Sequence, residues 1–434
     1  MNPHRLQSEP AWRPLLAAAE AELALDAVAD IARDLRDFVF QDRLAGLHGP
    51  PGRGHSLAGG EAGLALFFAY LDRCRPGEGH DELAMELLDR AVAGTDEMGT
   101  SGLYSGFPGI AWALEHLQGR LFESEEGEDL GESAAGALLE ILGEEAPWTL
   151  HYDLISGLGG HGVYAWERLG RPGGVECLAR VVARFAELAE RKPEGLAWRV
   201  PRELTSERFR ERFTGESYNL GVAHGVPGVI SVLAGSCATL PAARPLLDGA
   251  VSWLLSQKLP AGSPSAFPYS VGAGRRPDPT RLAWCYGDPG VAAALLAAAR
   301  TVGEPAWERE ALDIGRAAAA RPGGRAGVLD AGLCHGAAGL AHLFNRLHQA
   351  SADLELAAAA RSWYARALAM RRPGQGIGGF LAWNEGENGE LGWQDEPGFL
   401  VGAAGIGLAL LAAATPVEPE WDRLLLASLP PAVP

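Results

Sequence analysis

The sequence has few of the residues on which several common protein classes depend. Its 434 residues include five cysteines, an odd number spread widely along the chain, which does not suit a secreted disulfide framework. Aromatic residues make up 8% of the chain, and 37 lysines and arginines are outnumbered by 55 acidic residues. A net charge of -18 without a basic cluster argues against nucleic acid or an anionic membrane as a partner. A reducing cytoplasm is the expected location.

Long apolar runs are scarce as well. Near the N-terminus, Glu20, Glu22 and Asp26 interrupt the apolar stretch, so the sequence predicts no signal peptide. Residues 399–417 form an uncharged stretch of 19 residues, long enough in principle to cross a bilayer. This stretch opens with a Gly-x-x-Gly that recurs throughout the chain. We therefore expect a helix buried inside the protein there, not a membrane span.

A short unit does recur along the chain, namely Gly-x-x-Gly followed by an apolar run. Hydrophobic residues make up 47% of the chain, and alanine, leucine and glycine dominate its segments, so the predicted class is all-α. The unit recurs at irregular intervals, and the shortest distance between two successive copies is that from Gly60 to Gly106. Even this distance leaves room for two helices and their loops, as in helical-hairpin arrays. The seven copies begin at Gly60, Gly106, Gly157, Gly225, Gly287, Gly336 and Gly402.

Each unit predicts one buried helix and one half-exposed helix. The run after Gly287 is apolar on nearly every face and must be buried, with Asp288 as its predicted cap. Residues 81–94 instead combine an apolar stripe with a charged face, as expected of an outer helix. The stripe consists of Leu83, Leu87, Leu88, Ala91 and Val92.

Seven buried helices that alternate with seven amphipathic ones predict an (α/α) toroid, a double ring of seven inner and seven outer helices. An open solenoid is the alternative, although it would expose one side of the apolar helices. We expect one domain over residues 1–434, with the repeats over about 56–428. The loops between units contain no independent domain. A charged helix candidate at residues 207–213 could overhang a site or form a solvated surface segment.

Reactive side chains recur at one position of the repeat. The two residues before the first glycine are Cys285 and Tyr286 in the fifth unit, and Cys334 and His335 in the sixth. In a ring these positions meet at the same end, near the axis. Cys285, Cys334 and His335 would then offer two thiolates and one imidazole to Zn²⁺, with a fourth position open as in catalytic sites. Buried structural cysteines are the alternative, which the shared register disfavours.

The fourth unit carries His224 at the same position, immediately before Gly225. A three-ligand zinc site does not need this imidazole, so it is free to act as an acid and a base beside the metal. A core histidine without a chemical role is the alternative. Asp153, four residues before Gly157, could reach the same end of the ring and orient His224, or it could cap a turn.

Two further residues flank Cys285. Arg281 could bind a carbonyl oxygen as it becomes an enolate, or it could be an ordinary surface arginine. Tyr286 could hydrogen-bond to a substrate or simply pack. The remaining candidates are predicted to be structural: His151, His161, Cys74, Cys177 and Cys237.

Six motifs together resemble the lanthionine synthetase C family of peptide cyclases, namely SGFPG, HYDLISGLGG, GVAHGVPG, RLAWCYGDPG, LCHGAAG and GFLVGAAG. The resemblance covers nearly the whole chain, and WCYG followed by CHG is its most specific part. It implies a double barrel with seven inner helices. It also implies zinc ligands at Cys285, Cys334 and His335, and site residues at Asp153, His224, Arg281 and Tyr286.

The resemblance implies a zinc-dependent cyclase that adds a peptide cysteine thiolate to dehydroalanine or dehydrobutyrine, closing lanthionine or methyllanthionine rings. Its substrate would be a dehydrated precursor peptide, and a dehydratase and an exporter would be its protein partners. No region of dehydratase size precedes residue 50, so a separate dehydratase is expected. The enzyme would be cytoplasmic and would reach the membrane through its partners.

Three alternatives remain beside this interpretation. A relative that binds glutathione, or adds it to dehydrated peptides, would have the same motifs. A zinc-dependent protein prenyltransferase also has an α/α barrel and a zinc-bound thiolate, but the Cys-His tandem in this register argues against it. A non-catalytic scaffold could retain the ring and its metal.

Overall fold

The computed structural model describes residues 12–429 apart from residues 45, 48, 50, 125–127, 144–145, 206–214, 274–276 and 387–388. The charged helix candidate at residues 207–213 lies outside the described residues. Within them the chain folds into fourteen α-helices with short strands and 3₁₀ turns between them.

Each of the seven predicted glycines stands immediately before a buried helix. The inner helices are α2 (Glu61–Cys74), α4 (Phe107–Leu117), α6 (Leu158–Glu167), α8 (Val226–Ser236), α10 (Asp288–Val302), α12 (Ala337–Ser351) and α14 (Ala403–Ala414). The outer helices are α1 (Ala18–Phe40), α3 (His80–Ala93), α5 (Glu132–Ile141), α7 (Gly174–Leu188), α9 (Ala243–Ser256), α11 (Pro305–Ala319) and α13 (Leu354–Ala369).

The inner helices form a closed ring. Each one packs against the next along the chain, and α14 packs against α2. The first six inner helices each pack against the outer helix that follows them in sequence. The prediction of an all-α double ring with seven inner and seven outer helices is therefore confirmed, and the open solenoid is wrong because the first and last inner helices touch.

The seventh helical pair joins the two ends of the chain. Its inner helix α14 packs against α1, the N-terminal helix, and the backbone N–H groups of Leu15 and Leu16 both donate to the carbonyl of Ala413. The sequence pattern placed all seven hairpins within residues 56–428, whereas the outer helix of the last pair is Ala18–Phe40. After α14 the chain forms a short 3₁₀ turn, Glu420–Leu425, in place of an outer helix.

Burial follows the predicted division between inner and outer helices. All residues of α14 except Ala414 are buried, which explains the uncharged stretch at 399–417. Among the described residues, no helix has both the length and the apolar character that crossing a membrane requires. On α3 the predicted stripe is buried except for Val92, which is 42% exposed because it lies at the helix end.

The second glycine of each unit lets the preceding loop fold onto the first turn of the inner helix. A Cβ atom on Gly339 would collide with the carbonyl oxygen of Leu333, and one on Gly405 would collide with that of Phe399. Leu333 and Phe399 stand three residues before the first glycine of their units. The Gly-x-x-Gly pattern thus reflects close backbone packing at the start of the helix.

The loops before the inner helices are joined by a closed circle of backbone hydrogen bonds. Nearly all the participating residues lie two positions before the first glycine of their unit. The bonds run from the N–H of Leu400 to Ala58 O (3.1 Å), Ala58 to Tyr104 (2.9 Å), Tyr104 to Ile155 (3.5 Å), Leu154 to Ala223 (3.1 Å), Ala223 to Cys285 (3.4 Å), Cys285 to Cys334 (3.3 Å) and Cys334 to Leu400 (2.9 Å). Equivalent positions of the repeat therefore meet at one end of the ring, which we call the mouth.

Short antiparallel strand pairs lie in the long loops of the mouth. They are β1 (Glu190–Lys192) with β2 (Gly195–Ala197), β3 (Tyr218–Asn219) with β4 (Ser270–Val271), and β5 (Ala382–Glu385) with β6 (Leu391–Gln394). The β3–β4 pair connects the loop before α8 to the loop before α10. These two loops carry several of the predicted site residues.

Candidate metal centre and acid–base pair

Three potential metal ligands meet in the mouth. One ligand atom each from Cys285, Cys334 and His335 lies within 4.8 Å of the other two. The cysteines belong to the circle of backbone hydrogen bonds, in which the N–H of Cys285 donates to the carbonyl of Cys334. Two loops that are distant in sequence are thereby held side by side. Among the described residues this is the one group of three or more such side chains with metal-binding geometry.

The donor set fits zinc in chemistry and in spacing. Two thiolates bound tetrahedrally to zinc at about 2.3 Å lie about 3.8 Å apart. This distance is compatible with the ligand atoms of the present group, which all lie within 4.8 Å of one another. A hydrogen bond from Cys334 lowers the pKa of the buried Cys285 thiol well below its ordinary value, and His335 and Arg281 act in the same direction. The pair thus already favours a thiolate, the form that binds a metal.

His224 and Asp153 form a hydrogen-bonded pair in the same mouth. The Nδ1–H group of His224 donates to Oδ2 of Asp153 over 2.7 Å. The other carboxylate oxygen of Asp153 accepts from the backbone N–H of Ser156 at 2.8 Å, so the residue caps a turn and also orients the imidazole. The Asp153 side chain is 9% exposed and that of His224 39%, which leaves the imidazole accessible from the solvent side.

The charge of Asp153 sets the titration of His224. Burial lowers the pKa of His224, but the hydrogen bond and charge of Asp153, together with the charge of Cys285, outweigh it and raise the pKa above the ordinary 6.5. With Nδ1 bonded to the carboxylate, Nε2 is the ring atom available for proton transfer. Such a pair can accept a proton and return it near neutral pH.

Tyr286 links the His224–Asp153 pair to the three potential metal ligands. Its ring stacks on that of His224 with 5.9 Å between centroids, and the next residue back along the chain is Cys285. The phenol oxygen accepts a hydrogen bond from Nδ2 of Asn219 at 3.0 Å. A cleft of about 420 Å³ opens here. Its lining consists of His151, Tyr152, Asp153, Val200, Pro201, Thr205, Asn219, His224 and Tyr286.

Arg281 lies half-buried near the thiols. Its backbone N–H donates to the hydroxyl of Tyr269 at 3.1 Å, and its positive charge lowers the pKa of Cys285. Among the described residues, no hydrogen-bond partner faces its buried Nε atom. A guanidinium with an unsatisfied N–H group beside the ligands is suited to bind an anionic oxygen.

Of the residues that were predicted to be structural, His151 lies at the cleft and the others lie outside the ligand group. His151 lines the cleft, whereas His161 is buried and contacts the carbonyl of Ser101 at 2.7 Å. Cys74, Cys177 and Cys237 are free thiols that do not belong to the ligand group. Asp288 is not the helix cap that the sequence suggested. Gly287 occupies that position, and the Asp288 carboxylate accepts hydrogen bonds from the backbone N–H groups at 266 and 267.

Two contributors were not predicted from the sequence. Asn219 reaches Tyr286 across 67 positions, and the indole N–H of Trp284 donates to the carbonyl of Leu425 across 141 positions. The sequence signal for Trp284 was its position next to Cys285, and Asn219 had the weaker signal of lying six residues before Gly225. Neither signal identifies the partner, because both contacts depend on the closed ring.

Comparison with known proteins gives results that agree with this geometry. A sequence model of the family described as lanthionine synthetase C-like protein matches residues 53–426. Among solved structures, the chain is similar to one described as nisin cyclase, with a TM-score of 0.73 and 19% sequence identity. That alignment covers 92% of this chain and 97% of the other. At this identity the structural likeness concerns the fold, while the family match includes both ligand loops.

Proposed function

The chain belongs to the lanthionine synthetase C-like family, and from that premise we propose that it is a zinc-dependent peptide cyclase. In this proposal it adds a cysteine thiol of a dehydrated precursor peptide to a dehydroalanine or dehydrobutyrine of the same peptide. The product is a lanthionine or methyllanthionine ring. The solved relative that carries the word cyclase in its description supports this choice.

The observation that carries the proposal is the combination of three metal ligands and an acid–base pair at one mouth. Cys285, Cys334 and His335 would hold Zn²⁺ and leave its fourth coordination position for a substrate sulfur. Bound zinc would lower the pKa of that thiol so that the nucleophilic thiolate is present at neutral pH. A structural zinc site would need a fourth protein ligand, and the described residues offer three in this group.

His224 provides the proton transfers that the addition requires. Its Nε2 atom accepts the S–H proton, and Asp153 stabilises the resulting imidazolium through the 2.7 Å hydrogen bond. The sulfur then bonds to the β-carbon of the alkene, and the π-electron pair moves toward the adjacent amide carbonyl. When the proton returns to the α-carbon, the peptide has gained a thioether without gaining or losing an atom.

Arg281 and Tyr286 serve the negative oxygen that forms during this addition. Arg281 supplies a half-buried guanidinium whose buried Nε–H group has no hydrogen-bond partner among the described residues, and this group is suited to the enolate oxygen. Tyr286 accepts a hydrogen bond from Asn219, which holds its phenol at the cleft where the substrate would bind. Both groups are in place before the charge develops, which is the arrangement that lowers a reaction barrier most.

The proposal also includes a location and partners. The free thiols of the protein suit a reducing cytoplasm, where they stay reduced. The alkene in the substrate must come from dehydration of serine or threonine, so a dehydratase acts before this enzyme. A dehydratase and an exporter are the proteins with which it would associate, and they would bring it to the membrane.

A direct test incubates the purified protein with zinc and a peptide that contains one dehydroalanine and one cysteine. Cyclisation leaves the peptide mass unchanged but removes the thiol, so subsequent alkylation adds no mass to the product. A peptide that remains fully alkylatable contradicts the proposal. When glutathione is included, a product heavier by one glutathione would identify the glutathione-adding alternative, and zinc binding without either product would identify a scaffold.

Asn219→Ala is expected to reduce kcat about three- to tenfold, the equivalent of one lost hydrogen bond, with a smaller change in KM. The reason is that Tyr286 loses the donor that orients its phenol. Steady-state cyclisation kinetics measure the changes in kcat and in KM separately. The matched control is Asn384→Ala, in strand β5 outside the cleft, which should leave both constants unchanged. Equal kinetics for the two variants would remove Asn219 from the site.

A further inference from the structure

The C-terminal turn, residues 420–427, occupies the interior of the ring. Trp421, Leu424 and Leu425 are each no more than 2% exposed. Two carbonyls of the turn accept hydrogen bonds from side chains of different mouth loops. Leu424 O accepts from the Tyr104 hydroxyl at 2.8 Å, and Leu425 O accepts from the Trp284 indole at 2.7 Å.

Trp284 touches both ligand loops as well as this turn. It stands next to Cys285, and its backbone N–H donates to the carbonyl of Cys334 at 3.1 Å. The N–H of Cys285 donates to the same oxygen at 3.3 Å. The indole, 1% exposed, is fixed at its far end by Leu425. Trp284 therefore connects the turn directly to the point where the two ligand loops meet.

The same turn is bonded to the helix that follows the other two ligands. Helix α12 begins two residues after His335, and its residues His342 and Arg346 both bind the buried carboxylate of Asp422. The distances are 2.7 Å from His342 Nε2 and 2.5 Å from Arg346 Nε. All three side chains are buried, so loss of one partner would leave an uncompensated charge or polar group inside the protein.

We propose that the C-terminal turn is a positioning element for the metal centre, which acts through Trp284 to fix the spacing of Cys285 against Cys334 and His335. Metal affinity depends on how well ligand spacing is set before the ion arrives, because supporting contacts hold the ligands in the required geometry. The inference rests on the proposed zinc site. It does not depend on which peptide the enzyme cyclises.

The structure supplies a matched pair of variants. Trp284→Phe and Tyr104→Phe each remove one donor to a carbonyl of the C-terminal turn, but Tyr104 stands in a loop without ligands. We expect Trp284→Phe to lower zinc affinity about 10- to 100-fold and Tyr104→Phe to change it less than about twofold. Competition with a chromogenic chelator measures the affinity, and thermal unfolding compares the stability of the two variants.

Benzothienylalanine at position 284 keeps the ring size of tryptophan and lacks the N–H group, so it tests the hydrogen bond even where Trp284→Phe does not fold. Equal zinc affinities for this protein, Tyr104→Phe and the wild type would overturn the inference. A wild type that binds zinc but forms no thioether would overturn the proposed reaction and leave the inference standing. A wild type that binds no zinc would overturn both.

Discussion

Cys334→Ala is expected to lose zinc and, with it, thioether formation. The thiol is one of the three proposed protein ligands, and a zinc-binding free energy of about 10–16 kcal/mol divided over four ligands gives roughly 3 kcal/mol for each. Zinc affinity should therefore fall by two to three orders of magnitude, by the same arithmetic. Metal analysis of the purified variant, followed by the alkylation assay, measures both losses.

Cys237→Ala is the control for this result. Cys237 is also a free, partly buried thiol, but its Sγ contacts the carbonyl of Leu233 at 3.2 Å and it lies outside the ligand group. It should keep one zinc per chain and full activity. If Cys334→Ala retains zinc at the level of this control, the ion is bound elsewhere and the assignment of the centre is wrong.

Asp153→Asn is expected to lower kcat by roughly two to three orders of magnitude while zinc stays bound. The amide oxygen can still accept the hydrogen bond from the N–H of Ser156, so the turn survives. What disappears is the negative charge that holds the imidazolium of His224. His224→Asn should reduce kcat by a similar or larger factor, because this substitution removes the proton carrier itself.

The pH profile distinguishes a chemical role of the pair from a structural one. Asp153 raises the pKa of His224, so Asp153→Asn must lower it and shift the corresponding limb of the profile to lower pH. A rising limb would identify His224 as the base that takes the thiol proton, and a falling limb would identify the acid. Asp353→Asn, at a helix cap outside the mouth, should leave the profile unmoved. An unshifted limb in Asp153→Asn would exclude His224 as the titrating group.

The same pair has a predictable effect on stability. Since the pKa of His224 is raised on folding, its protonated form contributes stability that is fully present below the unfolded value of 6.5. That contribution is lost as the pH rises through the folded pKa. The difference in melting temperature between wild type and Asp153→Asn should therefore be larger at pH 6 than at pH 9, as measured by thermal unfolding.

The ring could be predicted because it is built from a short sequence motif that acts within each unit. Each Gly-x-x-Gly marks a place where a loop packs onto the first turn of a buried helix, and this packing repeats in every unit. The register then placed Cys285, Cys334 and His335 together, since equivalent positions of a ring meet at one end. Helix α1 escaped prediction because it lacks the motif and because its partner α14 is at the opposite end of the chain.

The rest of the site depended on contacts that no local pattern encodes. Asp288 has the sequence features of a helix cap, but the loop at residues 266–267 offers it two N–H groups, and Gly287 takes the cap position. Trp284 looks in the sequence like a residue that only packs. Its hydrogen bond to Leu425 exists only once the ring of helices has closed. Such pairings are set by three-dimensional proximity across the ring.

The joining of α1 to α14 also orders events during synthesis. Helix Ala18–Phe40 leaves the ribosome long before Ala403–Ala414 exists, so its apolar face must wait without its native partner. The turn at residues 420–427, which braces Trp284, is translated later still. A nascent chain interrupted after Ser351 would carry all three proposed metal ligands but neither the closing helix nor that brace. If the proposed zinc site is correct, synthesis of residues 403–427, and not of the last ligand, is thus the step that completes the surroundings of the ligands.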